Sequence, residues 1–263
     1  MDKTRIDIYL VEQGLAESRE KARALIMAGA VTLDGKRCDK PASLVGPGQE
    51  VSVQKPDAFV SRGGKKLQKA IQSFDLDLTG AICIDVGAST GGFTDCMLKS
   101  GAACVYAVDV GYGQLAWQLR QDERVCVMER QNARYLEREM FDKPVSFASI
   151  DVSFISLKLI LPALQRVLTP LYTISALIKP QFEAGRERVG KKGVVRDKAV
   201  HIDVINGIIA FARESGLAVC GLDFSPIRGP EGNIEYLICL KDSGQPAELQ
   251  VGQVVENAHQ QTQ

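Results

Sequence analysis

Neither sign of charge is in excess: Lys and Arg total 32, and so do Asp and Glu. That balance excludes a global attraction to nucleic acid, so any such site must be local. Histidine is nearly missing. His201 falls in a helical pattern and His259 in a polar tail, so no metal site is expected. The seven cysteines, at positions 38, 83, 96, 104, 126, 220 and 239, include no CxxC pair and lie mostly in apolar, strand-like surroundings. They read as buried thiols in a reducing compartment, not as a disulfide framework. Long apolar runs are also lacking. Ile208-Ile209-Ala210-Phe211-Ala212 is among the longest and is far too short to cross a bilayer, and Met1-Asp2-Lys3-Thr4-Arg5 leads into no apolar segment. A cytoplasmic protein with neither signal peptide nor membrane contact is the expectation.

What remains is an ordinary globular composition, 45% apolar and 24% charged over 263 residues, enough for one large domain with or without a small one. The most informative stretch is Ile82-Cys83-Ile84-Asp85-Val86-Gly87-Ala88-Ser89-Thr90-Gly91-Gly92-Phe93. It reads as a buried strand, a tight glycine-rich turn and the start of a helix, so backbone N–H groups near a helix N-terminus would face a ligand at the strand's carboxyl end. From Gly80 onward strands and helices alternate, which predicts a parallel sheet with helical crossovers. Strands are expected at 103–109, 125–128, 146–151 and 172–179, with Asp109 and Asp151 ending two of them. Helices are expected at 114–120 and 157–168, and from Val200 to Ile209 along one apolar face. The charged segment 181–197 is long for a connector and reads as a binding loop. Two last strands, 217–224 and 234–240, are joined too closely for a helical crossover and are expected as an antiparallel hairpin. Residues 244–263 are polar and Gln-rich and read as a disordered tail.

The first 53 residues form a separate pattern. Ile6, Tyr9 and Leu10 recur at helical spacing before Gly14, and Ser18 is placed to cap a second helix that Gly29 stops. Val31 to Arg37 reads as a strand and turn around Asp34-Gly35. Lys55-Pro56-Asp57 reads as a linker. Beyond it, Arg62, Lys65, Lys66 and Lys69 crowd beside Gly63 and Gly64, two glycines that read as flexible.

Arg5-Ile6-Asp7-Ile8-Tyr9-Leu10, Ser18-Arg19-Glu20-Lys21-Ala22 and Gly29 to Gly35 resemble the S4 RNA-binding domain. The resemblance implies phosphate contacts by Arg5, Arg19, Lys21 and Arg23, together with Lys36 and Arg37. The glycine-rich stretch departs from the dinucleotide fingerprint, because Ser89 stands where its second glycine should be, and it lacks the Lys-Ser or Lys-Thr of a P-loop. It resembles instead the first motif of S-adenosylmethionine-dependent methyltransferases. That resemblance implies a Rossmann-like α/β fold with a seven-stranded, mostly parallel sheet. It also implies a cofactor site drawn from Asp85, Gly87, Ala88, Ser89, Gly91, Gly92 and Phe93. In that class Asp109 would accept from the ribose hydroxyls, Asn132 would flank the adenine, and Asp151 would adjoin both.

The acceptor chemistry is narrower still. The segment after the fourth strand, Asp151-Val152-Ser153-Phe154, has neither the Pro-Pro of base amino-group methylation nor the Pro-Cys of pyrimidine carbon methylation. Lys66, Asp151, Lys179 and Glu235 match the Lys-Asp-Lys-Glu tetrad of FtsJ-like ribose 2′-O-methyltransferases. Ser61 to Leu67, Asp151 to Leu157, Lys179-Pro180-Gln181-Phe182-Glu183 and Gly232 to Tyr236 look like its hemolysin A-like subgroup, which joins an S4 domain to this catalytic domain. Lys65 adjoins Lys66, and Lys66 is matched because it directly precedes Leu67. The resemblance implies ribosomal RNA, alone or in ribosomal subunits, as partner, with Arg62 and Lys65 added to the RNA-binding set. It also implies an S4 domain with linker at 1–60 and a catalytic domain at 61–243. A ribose hydroxyl is a poor nucleophile and must lose its proton as it attacks. A lysine serves as base only as the free amine, which a second nearby positive charge favours. The expected roles are Lys179 as base, Lys66 as that charge and as an acceptor contact, and Asp151 and Glu235 as orienting carboxylates. The rival readings are a pore-forming hemolysin and a non-catalytic RNA-binding protein on the same scaffold.

Overall fold

The computed structural model describes residues 3–53 and 58–261. The linker expected at Lys55-Pro56-Asp57 lies outside the described residues. The chain divides into two compact units, 1–57 and 58–263.

In the first unit, β1 (Thr4–Arg5) leads into α1 (Ile6–Glu12) and α2 (Arg19–Met27), followed by β2 (Val31–Leu33), β3 (Lys36–Arg37), β4 (Leu44–Val45) and β5 (Val51–Val53). The Ser18 hydroxyl accepts from the Lys21 N–H at 3.2 Å and so satisfies one of the open donors at the start of α2. Asp34 and Gly35 both have positive φ, 50° and 73°, which the two-residue turn between β2 and β3 requires. Strands β3, β2 and β5 form an antiparallel sheet. Ile6, Leu10, Ala22, Ile26 and Val31 close a small core beneath it.

The second unit opens with α3 (Gly63–Ser73). Then come β6 (Ile82–Val86), α4 (Gly92–Lys99), β7 (Cys104–Asp109), α5 (Trp117–Arg120), β8 (Val125–Glu129), β9 (Phe147–Ile150) and α6 (Leu157–Val167). They are followed by β10 (Thr173–Ile178), α7 (Pro180–Glu183), α8 (Lys198–Glu214), β11 (Ala218–Phe224), β12 (Tyr236–Lys241) and α9 (Val251–Gln261). The seven strands run in the order β11-β12-β10-β9-β6-β7-β8. All neighbours are parallel except β12, which is antiparallel to both β10 and β11. The chain leaves β6 toward β7 and β8, then returns to β9 on its other side. The topological switch point therefore falls between β6 and β9, where open α/β sheets bind ligands. One face of the sheet packs Cys83, Val105 and Phe147 with Leu67, Phe93 and Met97 of α3 and α4. The other packs Ile84, Val86 and Tyr106 with Leu161, Leu164, Ile205 and Ile208 of α6 and α8.

Two expectations are corrected. Gly63 and Gly64 do not form a flexible hinge but open α3. A Cβ at Gly64 would collide with the Phe59 ring, so it is close packing that requires glycine there. The tail expected to be disordered instead forms α9, which packs on α8 and β11. Its average polarity hides a stripe at Val251, Val254, Val255 and Ala258, the i, i+3, i+4, i+7 spacing of a buried helical face. Segment 181–197 contains α7 and a 3₁₀ turn at Arg186–Arg188. Val255→Asp places an unpaired carboxylate in the α9–α8 contact and is expected to cost about 3 kcal/mol of unfolding free energy, read by urea denaturation.

Candidate active site

The glycine-rich turn after β6 is shaped by three positive-φ residues, Gly87 (86°), Ser89 (47°) and Gly91 (94°). At Gly87 a Cβ would run into the carbonyl oxygen of Asp151 across the switch point, and at Gly92 into the Ser61 hydroxyl. Gly91 admits the Leu115 and Leu119 side chains. The turn is tied to β7 through Asp109, whose carboxylate accepts from the N–H of Ser89 at 2.8 Å and of Gly111 at 2.7 Å. The Asn132 side chain accepts from the Arg134 N–H at 3.1 Å, capping the turn that follows β8.

Two cavities open at this end of the sheet and share Gly87, Ser89 and Asp151. One, of about 380 Å³, has Asp109 and Asn132 on one side and the apolar side chains of Val108, Ala133 and Ile160 on another. This combination suits an adenosyl group. The carboxylate oxygens keep free lone pairs for paired hydroxyls, the apolar wall receives a base, and the glycine backbone comes close to whatever lies between. The other cavity, of about 450 Å³, is bounded by Lys66, Arg62, Thr90, Phe93 and the segment from Ile227 to Pro230.

Beside the cavities lies a cluster of four charges from four separate parts of the chain. Lys66, from α3, places its ammonium 2.6 Å from Glu235 and 3.6 Å from Asp151. Lys179, at the end of β10, places its own ammonium 2.5 Å from the other oxygen of Asp151 and 3.2 Å from the Ser153 hydroxyl. Lys66 and Lys179 are each 7% exposed and Glu235 1%. Burial pulls the Lys66 pKa down, but the charges of Asp151 and Glu235 more than offset it, and the net direction is upward. It is Lys66, not Lys65, that reaches these carboxylates. One turn along α3, Lys69 donates to the carbonyl of Phe224 at 2.7 Å and pairs with Asp223 at 3.2 Å, which fixes the helix against β11.

Most of the residues singled out in the sequence meet here. Gly87, Ala88, Ser89, Gly92, Phe93 and Asp151 line the Lys66 cavity, and Asp109 and Asn132 line its neighbour. Lys179 and Glu235 lie behind Asp151 and Lys66 and line neither. Asp85 also lines neither. It is fully buried under the turn, accepting from Thr94 at 2.6 Å and Ser149 at 3.2 Å, and burial pushes its pKa up to about 7. In the first unit, Arg5 and Arg19 both donate to the buried carboxylate of Asp7, each at 3.0 Å, which holds their exposed guanidinium groups in place. The Arg5 hydrogen bond leads the forces that keep Asp7 ionised. Lys21 pairs with Glu17, and Arg23 is exposed. The pinning role of Asp7 was not read from the sequence, where its only signal is an acid two residues after Arg5.

Sheet order, glycine-rich turn and the cavity beside Asp109 fit the class of S-adenosylmethionine-dependent methyltransferases. Within that class the chain belongs to the FtsJ-like methyltransferase family, whose pattern matches residues 59–242, and an S4 domain pattern matches residues 4–51. It is 53% identical to a Bacillus subtilis protein provisionally named rRNA methyltransferase YqxC, over 98% of this chain and 94% of that one. It is 45% identical to the Mycobacterium tuberculosis 16S/23S rRNA (cytidine-2′-O)-methyltransferase TlyA, over 91% and 90% of the two chains. A solved Streptococcus thermophilus structure, provisionally described as a hemolysin, superposes with a TM-score of 0.77 at 50% identity, covering 99% of this chain and 97% of that one.

Two outcomes test the site. For Asp85, a folded pKa near 7 against an ordinary 3.8 means that the native state keeps a proton the unfolded chain releases. Its contribution to stability is full below about pH 4, declines as pH rises and is lost by about pH 7. Asp85→Asn is expected to flatten that decline, measured by urea unfolding at pH 5, 6 and 7.5. Asp109→Ala is expected to weaken S-adenosylmethionine binding by roughly tenfold or more, from the lost charged hydrogen bonds, measured by calorimetry.

Proposed function

We propose that the protein transfers a methyl group from S-adenosylmethionine to a ribose 2′-hydroxyl of ribosomal RNA. The observation that carries this reading is the pair of buried lysines on one carboxylate, Asp151, beside the cavity that adjoins the glycine-rich turn. The names of the relatives support the substrate class. Bound S-adenosylmethionine supplies an electrophilic methyl group on a sulfonium. Gly87, Ser89, Asp109 and Asn132 would hold it, and the Lys66 cavity would receive the ribose.

Lys66, held by two carboxylates, keeps its proton and donates to the acceptor ribose. Lys179, tied to Asp151 and the Ser153 hydroxyl with the Phe182 ring 5.9 Å away, would act as the uncharged amine that takes the hydroxyl proton as the new O–C bond forms and the sulfur–methyl bond breaks. Glu235 neutralises Lys66, and Asp151 sets the spacing of the two lysine nitrogens. Holding oxygen and methyl in line contributes further, up to about 7–11 kcal/mol in well-oriented systems. Residues 1–60 grip RNA phosphates through Arg5, Arg19, Lys21 and Arg23, and Arg62 and Lys65 contact RNA from the catalytic domain at 61–243. A pore-forming role has no comparable constellation in its favour, and among the described residues no helix is long and apolar enough to cross a membrane.

Lys179→Ala is expected to lower methyl transfer at least 100-fold with cofactor affinity within threefold of wild type, the usual size of a lost general base. Radiolabel incorporation into ribosomal RNA, located by mass spectrometry of ribose-methylated nucleosides, measures it. Transfer at the wild-type rate would remove Lys179 from the role.

A further inference from the structure

A third cavity, of about 370 Å³, lies on the far side of the loop that joins β11 to β12. Its polar lining consists of Arg196, Arg228, Glu231 and His259, with Val195 and Ile234 beneath. Arg228 is common to this cavity and to the one that contains Lys66, so a single residue stands in both walls. Its guanidinium donates to the Gly232 carbonyl at 3.2 Å, which fixes it to the loop. Arg196 is exposed, with no hydrogen bond or ion pair from its side chain among the described residues. His259 projects from α9, its ring 5.0 Å from that of His201, and its Nε2 is closed off without a partner. His201 itself is committed, with Nδ1 2.6 Å from the Tyr236 hydroxyl and Nε2 3.0 Å from the Val195 carbonyl.

The surrounding charges leave a net positive field. Burial first, then His201, Lys198 and Arg228, hold the His259 imidazole below its ordinary pKa, and only Glu256 acts the other way. Glu256 is itself paired with Lys198 at 2.6 Å. Glu231 is the one carboxylate in the lining, against two guanidinium groups. A cavity with an uncommitted arginine and a second guanidinium group in its wall suits a compact anion with several acceptor oxygens.

We propose that this cavity binds a phosphodiester of the same RNA strand whose target ribose occupies the Lys66 cavity, with Arg228 contributing to both. The inference rests on the ribose-methylation reading, because that reading places a polyanion across the shared wall. Arg196 and His259 supply the contacts that the Lys66 cavity lacks, and they position the strand without touching the reacting atoms.

The test compares wild type, Arg196→Glu, Arg196→Lys, His259→Gln and, as a control for net charge, Arg213→Glu on an exposed position of α8. Affinity for unmodified 16S and 23S rRNA transcripts is measured by filter binding over a salt series, alongside kcat and KM for methyl transfer. Arg196→Glu is expected to weaken RNA binding about tenfold and to reduce the salt slope by about one, with kcat and cofactor binding unchanged. Arg196→Lys should recover most of the loss, and His259→Gln should raise KM severalfold. Arg196→Glu binding within twofold of wild type, or a loss no larger than that of Arg213→Glu, overturns the site. Arg196-dependent RNA binding without ribose methylation would keep the site and remove the reading it rests on. Methylation with an unchanged KM in Arg196→Glu would do the reverse.

Discussion

Everything at the carboxyl end of the sheet depends on one carboxylate with two ammonium groups on it. Asp151 takes Lys66 on one oxygen and Lys179 on the other, while Glu235 returns the cluster to neutrality. Removing four charges from water costs several kcal/mol for each ion, and ion-pair geometry recovers that cost only when the partners are held rigidly. Such a cluster adds little to stability compared with an apolar core of the same volume. Its worth lies in holding two amines at a fixed separation beside a cavity. The four residues come from α3, from the ends of β9 and β10, and from the residue before β12, so the arrangement exists only in the completed fold.

The glycine-rich turn depends on the same place. Asp151 begins the segment after β9, and its carbonyl fills the space a side chain would need at Gly87. Close approach across the switch point thus brings the cavity beside Asp109 and the lysine cluster into register, and Gly87, Ser89 and Asp151 belong to both cavity walls. Asp109, hydrogen-bonded to the backbone of the turn, keeps the turn at the height of β7. The two cavities are consequently shaped by shared residues.

How much of this was legible in the sequence follows from what kind of signal each feature leaves. The parallel sheet and its antiparallel last strand were readable because hydrophobic period and loop length are local properties. The grouping of the four charges was readable only through resemblance, since 169 residues separate Lys66 from Glu235 and no spacing rule links them. The resemblance places Asp85 in the cofactor site, facing the ligand. Strand alternation sends its side chain the other way, toward Thr94 and Ser149. The tail was misread because mean polarity outweighed a four-residue apolar stripe, and His259 lost its partners in that reading. Gly63 and Gly64 were taken for flexibility when packing against Phe59 is what requires Gly64.

The corrected tail changes how the loop after β11 is understood. That loop ends at Glu235, so its conformation decides whether the carboxylate meets Lys66. Asn233 stitches it to the segment before α8, accepting from the Val195 N–H at 3.0 Å and donating to the Gly193 carbonyl at 2.9 Å. The Gly229 N–H closes the loop on the Asn233 carbonyl at 2.9 Å, and a Cβ at Gly229 would press on the Glu235 carboxylate. On its outer side α9 carries His259 against His201, which is bonded to Tyr236, the residue after Glu235. A helix that composition assigns to disorder therefore braces the strand that delivers the fourth charge. The same bracing fixes Arg228 between two cavities, so the residues that fix the loop also govern both of the surfaces it presents.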